Sequence, residues 1–298
     1  MHGVWTALIT PFNENGELDK TSFTKIIEDQ CQANVAGLVV CGTTGESPCL
    51  TMEEKKSLIQ IALGQTKNSK VKIIAGTGTN NTKTSVDFSK WASDQGVSGV
   101  LVVTPYYNKP SQAGLEAHFR SVADNVSCPV ILYNVPSRTG VSLSAETVVK
   151  LSSHKQIAGL KEASGNISLS SEILSQIPSD RAFSIFSGDD VTFLPLLSVG
   201  AKGVISVASN LFPRAMVNLQ IKHESGCFEE ARKIHQHYYP LFRDLFIETN
   251  PVPIKYAMSK LGWCGPTVRL PLVPVSEKSA CKIDQSLELC GLRRGKPA

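Results

Sequence analysis

No stretch of this 298-residue chain approaches the roughly 18 unbroken apolar residues that a membrane-spanning helix requires. Its opening, Met1 to Phe12, lacks both the basic start and the long apolar run of a secretory signal, and it is not the Arg- and Ser-rich kind of a transit peptide. Charge of one sign is also scarce. A formal net charge of +4 makes no case for nucleic acid or an anionic membrane as partner. The basic residues at the very end, Arg293, Arg294 and Lys296, read as a solvated tail. The eight cysteines are scattered, with no C-x-x-C pair among them, so neither a disulfide framework nor a cysteine metal site is expected. The expectation is a cytosolic protein with reduced thiols. His235 and His237 stand two residues apart, which on a helix turns them in different directions, so no metal and no cofactor is expected. No G-x-G-x-x-G follows the first strand, which disfavours an open dinucleotide-binding sheet.

What the chain has in quantity is short apolar, β-branched runs. They are Val4–Phe12, Gly37–Gly42, Val71–Gly78, Gly99–Tyr107, Val130–Pro136, Ile157–Ser164, Phe183–Asp190 and Gly203–Val207. Near-continuous hydrophobicity marks strands covered on both faces. Between them lie stretches of helical period, such as Thr51–Gln65, Thr82–Gln95 and Leu115–Asn125. Eight strands alternating with helices predict an α/β fold, a (β/α)8 TIM barrel. The chain then turns helical from Pro213 to about Arg243 and on past Pro253, more helix than a bare barrel needs. The expected division is a barrel over residues 1–225 and a C-terminal helical extension over 226–298.

One residue sits where its chemistry is costly. Lys161 lies in the run Ile157-Ala158-Gly159-Leu160-Lys161-Glu162. Lysine is almost never buried unless something uses it. Burial favours the neutral amine, a nucleophile able to form a Schiff base with a carbonyl compound. The plain alternative is a lysine at a strand end with its ammonium reaching into water.

The other unusual residues also fall at C-terminal strand ends, where barrel active sites are built. They are Gly42-Thr43-Thr44-Gly45-Glu46-Ser47, Gly76-Thr77-Gly78-Thr79-Asn80, Thr104-Pro105-Tyr106-Tyr107-Asn108, Tyr133-Asn134-Val135-Pro136-Ser137-Arg138-Thr139-Gly140 and Ser187-Gly188-Asp189-Asp190. Each has a structural reading as well. The Gly-Thr-Thr-Gly loop could be a turn with a helix cap, the two tyrosines core aromatics, and Asp189-Asp190 a helix N-cap pair. Taken together they offer one amine, phenols, hydroxyls, an arginine and backbone N–H groups. Imine formation on a lysine needs a proton donor and acceptor of high pKa, which tyrosine supplies. A keto acid's carboxylate needs N–H and O–H donors, which the Thr43-Thr44 loop at a helix N-terminus would offer. An arginine fork suits a second carboxylate.

The G-T-T-G-E loop, the Y-N-V-P segment and the G-L-K strand resemble the dihydrodipicolinate synthase/N-acetylneuraminate lyase family of class I pyruvate aldolases. The similarity runs from Thr6-Ala7-Leu8-Ile9-Thr10-Pro11-Phe12, through Asn250-Pro251-Val252-Pro253-Ile254-Lys255, to Arg269-Leu270-Pro271-Leu272-Val273-Pro274. Arg138 and the Thr104–Asn108 segment resemble the synthase branch; sialic acid lyases generally lack that arginine. The resemblance implies a Schiff base between Lys161 and pyruvate, whose enamine attacks L-aspartate 4-semialdehyde. Tyr133 would be the general acid/base, completed by Thr43 and by Tyr107, which would enter a neighbouring subunit's site. Arg138 would hold the semialdehyde carboxylate, and Thr44, Gly188 and Ile205 would line the pyruvate pocket. A homotetramer built as a dimer of dimers is implied too.

Relatives inhibited by lysine bind it with polar side chains that typically include histidine and glutamate. Here Ser47, Asn80 and Tyr106 match, but Met52, Lys55 and Thr84 stand at the remaining positions. A cationic Lys55 beside a cationic ligand is unfavourable, so weak or absent feedback inhibition is expected. The competing expectations are another pyruvate aldolase, acting on a sialic or 2-keto-3-deoxy sugar acid, and a barrel that binds ligand without catalysis.

Overall fold

The computed structural model describes residues 1–293; Arg294 and Lys296, read above as a solvated tail, lie outside the described residues. In chain order the elements are β1 (Gly3–Ala7), α1 (Lys20–Gln32), β2 (Gly37–Val40), α2 (Met52–Thr66), β3 (Lys72–Gly76), α3 (Thr82–Asp94) and β4 (Gly99–Val103). Next come α4 (Gln112–Asp124), β5 (Val130–Asn134), α5 (Pro136–Thr139), α6 (Ala145–Ser152), β6 (Ile157–Glu162), α7 (Ile167–Gln176) and β7 (Ser184–Ser187). The chain finishes with α8 (Phe193–Ser198), β8 (Gly203–Ser206), α9 (Pro213–Glu224), α10 (Phe228–Asp244), α11 (Val252–Lys260) and α12 (Glu277–Leu289). The strands close into a barrel in the order β1 to β8. The expected eight-stranded barrel is therefore the fold.

All eight apolar runs contain the strands expected of them, but most ladders stop earlier than the hydrophobicity does. β1 ends at Ala7 although Leu8, Ile9 and Phe12 are as buried as the strand itself. Loops buried at the C-terminal ends of strands carry the same apolar signal as the ladder. Helix starts are set by side-chain caps. Asp19, Asn81, Ser111, Ser144, Asn166 and Ser276 each accept a backbone N–H of the first turn. Thr51 and Glu54 form a full capping box on α2. Each such cap contributes about 1 kcal/mol.

The chain divides into two compact units. The first comprises Met1–Gly3 and Lys72–Ile205. Within it one row of residues runs in register across five strands: Val103, Tyr133, Lys161, Phe186 and Gly203. Side chains in one row of a parallel sheet share a face. β8 opens on glycine for a steric reason, since a Cβ at Gly203 would lie 2.0 Å from the Gly3 carbonyl oxygen.

The second unit comprises Val4–Val71 and the chain from Ser206 onward. The helical stretch expected from Pro213 is broken into α9 and α10 by Gly226, at φ 75°, where the Cys227 N–H closes the turn on Lys222 O. α12 seats Ile283 and Leu287 in the interior of this unit. All eight cysteines are free thiols. Burial pushes Cys41 and Cys264 up to about 12 and Cys290 to about 11. Cys41 is buried as expected, but it lies one residue past β2 with φ 58° rather than within the strand. Among the described residues no helix is long and apolar enough to cross a membrane.

Candidate active site

Lys161 is the fifth residue of β6 and only 5% exposed. Its register partner on β5 is Tyr133, also buried, and Lys161 Nζ stands 4.3 Å from the centre of the Tyr133 ring. Neighbouring strands thus bring together the amine and the phenol that the sequence singled out. One residue further along both strands, Asn134 and Glu162 point to the opposite face. There Asn134 Nδ2 donates to Glu162 Oε2 at 2.8 Å, and Asn134 Oδ1 accepts the Leu143 N–H at 3.0 Å. The Ser164 N–H donates to the other Glu162 oxygen. This buried network ties the ends of β5 and β6 together just where Tyr133 and Lys161 project.

Gly188 follows β7 and lies against the lysine. A Cβ there would stand 2.6 Å from Ala163 Cβ, 3.0 Å from Glu162 O and 3.1 Å from Lys161 Cε. No side chain fits without moving Lys161 or its strand. Ile205, two residues beyond Gly203 on β8, shares the face of the Lys161 row and is fully buried. Asp189 is a further charged neighbour. Burial pushes its carboxyl above the ordinary range, and the Lys161 charge partly offsets this. The expectation of an Asp189-Asp190 helix cap fails. The N-cap of α8 is Thr192, and Asp189 Oδ1 instead accepts the Val191 N–H at 3.0 Å in a turn of its own.

Arg138 lies on the single turn α5, exposed, and the turn is closed by Gly140 at φ 70°. The Thr139 hydroxyl accepts from Thr104 Oγ1 at 3.2 Å and so joins this turn to the end of β4. Tyr107 behaves differently from the other named residues. Its backbone is left-handed, at φ 74°, and its side chain is 89% exposed. A ring so exposed does not pack on the buried Lys161 of its own chain.

Thr43 and Thr44 follow β2 in the second unit. The turn is tight. Gly45 N–H donates to Gly42 O and Glu46 N–H to Thr43 O, each at 3.1 Å, between left-handed residues Cys41 (φ 58°) and Glu46 (φ 53°). Such conformations persist only where the surroundings enforce them. The expected helix N-terminus is absent, because the turn runs into a three-residue 3-10 segment, Ser47–Cys49, and α2 begins only at Met52. Side chains hold the turn instead. Thr10 Oγ1 donates to Gly45 O at 2.7 Å, and Asn250 Nδ2 donates to Thr44 Oγ1 at 2.9 Å.

Glu46 is the residue whose role sequence reasoning missed. Its Oε1 accepts from Lys255 Nζ at 2.7 Å, with both side chains wholly buried, and its Oε2 accepts the Arg269 N–H at 3.0 Å. Lys255 and Arg269 both stack on the Phe12 ring, 4.1 and 4.3 Å from its centre. Arg269 also grips Glu54 with two hydrogen bonds of 2.7 and 2.6 Å and donates to the Cys49 and Gly16 carbonyls. Burial draws the Lys255 ammonium below its ordinary pKa, against the pull of Glu46. A signal existed: Lys255 sits in the apolar run Val252–Met258 as Lys161 sits in its own.

Among the described residues no three histidine, cysteine, aspartate or glutamate side chains gather as a metal site. His235 packs against Tyr239 and Phe242, whereas His237 packs on Tyr238 and reaches the Cys290 carbonyl.

The model of the Dihydrodipicolinate synthetase family matches residues 1–289. The chain belongs to the dihydrodipicolinate synthetase family. Relatives within the family include the 4-hydroxy-tetrahydrodipicolinate synthase of Leptospira biflexa, 49% identical over 278 residues, which are 93% of each chain. That of Methanosarcina barkeri is 46% identical over 290 residues, covering 97% of this chain and 98% of the other. Among solved structures, the dihydrodipicolinate synthase of Aquifex aeolicus superposes with a TM-score of 0.95 at 43% identity, over 99% of this chain and all of that one.

Proposed function

We propose that the chain is a 4-hydroxy-tetrahydrodipicolinate synthase, a lyase that condenses pyruvate with L-aspartate 4-semialdehyde on the diaminopimelate and lysine route. Full-length similarity to synthases of that name supports the reaction. The observation that carries the mechanism is the buried Lys161 amine facing the Tyr133 ring at 4.3 Å.

In this mechanism the Lys161 amine adds to the keto carbon of pyruvate, and the resulting carbinolamine loses water to give the imine. Tyr133 gives a proton to the departing oxygen and takes one back as the methyl group becomes an enamine. The enamine carbon attacks the aldehyde of the second substrate, forming the new C–C bond. The substrate's own amine then displaces Lys161 from the imine carbon, closing the ring and freeing the lysine. Thr43 and Tyr107 complete the hydroxyl relay. The exposed Tyr107 ring is suited to entering a neighbouring copy, in keeping with a homotetramer arranged as a dimer of dimers. Thr44, Gly188 and Ile205 line the pyruvate pocket, and Arg138 holds the carboxylate of the semialdehyde. In this reading residues 1–225 form the barrel, the helices from 226 onward are an addition to it, and the enzyme works in the cytoplasm without a cofactor.

The test is pyruvate consumption with L-aspartate 4-semialdehyde, run beside N-acetylmannosamine, with Lys161→Ala as control. Turnover with the semialdehyde alone, lost in the control, is expected. A Tyr133→Phe enzyme should lose about 10²–10⁴-fold in rate. Turnover with the sugar instead would move the chain to the sialic acid lyase branch. Borohydride trapping of pyruvate that survives Lys161→Ala would overturn the nucleophile.

A further inference from the structure

The turn after β2 is held from the far end of the chain. Asn250 and Lys255 come more than 200 residues after the turn they touch, yet one bonds Thr44 and the other Glu46 two residues later. The two contacts have different chemistry. Glu46 is anchored by charge, through a buried lysine and a backbone N–H. Thr44 is anchored by a neutral amide. Its hydroxyl has one hydrogen to donate and two lone pairs to accept with. Asn250 Nδ2 is the donor in the 2.9 Å contact, so it occupies a lone pair and leaves the hydroxyl hydrogen to point elsewhere.

That polarity matters for an anion. A carboxylate accepts hydrogen bonds only, so a threonine whose hydrogen is spent on a protein acceptor cannot serve it. A threonine whose oxygen is already satisfied by a donor can. An oxygen that accepts one hydrogen bond also becomes a better donor through its own O–H. We propose that Asn250 is a positioning residue that fixes the Thr44 hydroxyl as a donor toward the carboxylate of the keto-acid substrate, on a turn anchored by the Glu46–Lys255 pair. This rests on the pyruvate-aldolase reading above and goes beyond it in assigning the orientation of one hydroxyl to a residue from the C-terminal helical region. Glu46 and Lys255 keep the turn in place, since its left-handed ends at Cys41 and Glu46 would otherwise relax.

The experiment is borohydride trapping of pyruvate, read as the concentration giving half-maximal adduct, in wild type, Asn250→Ala, Asn250→Asp, Thr44→Val and the Thr44→Val/Asn250→Ala double variant. Asn250→Ala should raise that concentration about tenfold, the scale of one hydrogen bond to a charged acceptor. Maximal trapping at saturating pyruvate should be unchanged, and so should the KM for the aldehyde partner. Asn250→Asp keeps the volume but turns the donor into an acceptor beside an anion, so it should bind pyruvate more weakly than Asn250→Ala. It also gives the reading should the alanine variant be too unstable to assay. In the Thr44→Val background, Asn250→Ala should add nothing. Wild type trapped normally with Asn250→Ala within twofold of it, or a full additional loss in the double variant, overturns this inference while leaving the Schiff-base reading intact. Wild type that pyruvate does not trap at all overturns both.

Discussion

Acid should destabilise this fold through one buried ring. His118 lies on α4, almost wholly buried, with Nδ1 paired to Thr82 Oγ1 at 2.9 Å and the ring edge-on to Phe119. Its Nε2 has no protein partner among the described contacts. A second proton would therefore place a charge in the interior, and burial lowers the pKa from 6.5 to about 4. The sign follows from linkage. Above pH 6.5 the ring is neutral in both folded and unfolded chain and favours neither. Between about 4 and 6.5 the unfolded chain takes up a proton that the folded chain refuses, so stability falls as pH falls. Below about 4 the loss from this ring is complete. At about 1.4 kcal/mol per pH unit, that window amounts to about 3 kcal/mol. Urea unfolding of wild type and His118→Gln, followed from pH 7.5 down to 4, isolates the ring from the other carboxyl titrations. Wild type should lose about 3 kcal/mol more than the variant over that range. Parallel curves for the two proteins would refute the reasoning, because they would mean the ring protonates as readily folded as unfolded.

Two further outcomes follow from the same structure. Gly188→Ala places a methyl group 2.6 Å from Ala163 Cβ and 3.1 Å from Lys161 Cε. Relief by moving the lysine about 1 Å should slow single-turnover trapping of pyruvate by about 10²-fold; a wild-type rate would show that the strand end yields instead. For regulation, millimolar L-lysine should leave the initial rate of condensation unchanged, since Lys55 and Thr84 offer a charge clash and no carboxylate. Half-inhibition by sub-millimolar lysine would contradict that.

Much of the architecture was legible because the signals are local. Apolar runs located all eight strands, and the Thr51-x-x-Glu54 pattern carries its own explanation for where α2 begins. Lys161 stood out because a lysine inside a strand-like run is costly. The same reasoning should have stopped at Lys255, which is more deeply buried, at 0% against 5%. It did not, because its partner Glu46 lies 209 residues away and no local pattern reveals such pairing. Misread details share one cause. Whether Asp189 or Thr192 caps α8, or whether the threonine turn meets a helix, depends on a few dihedral angles. Composition does not encode these. Gly226 was the exception, a readable helix stop passed over because apolar and polar residues continue with helical period on both sides.

The thiols have a practical consequence for handling and labelling. A cysteine held near 12 carries thiolate on only about one molecule in 10⁵ at pH 7, so Cys41 and Cys264 are poor targets for alkylating reagents. Cys281, on the exposed side of α12, is the cysteine open to solvent. A maleimide dye under brief treatment should therefore mark the final helix first. That gives a spectroscopic reporter on the C-terminal region while leaving the threonine turn and the lysine chemically untouched.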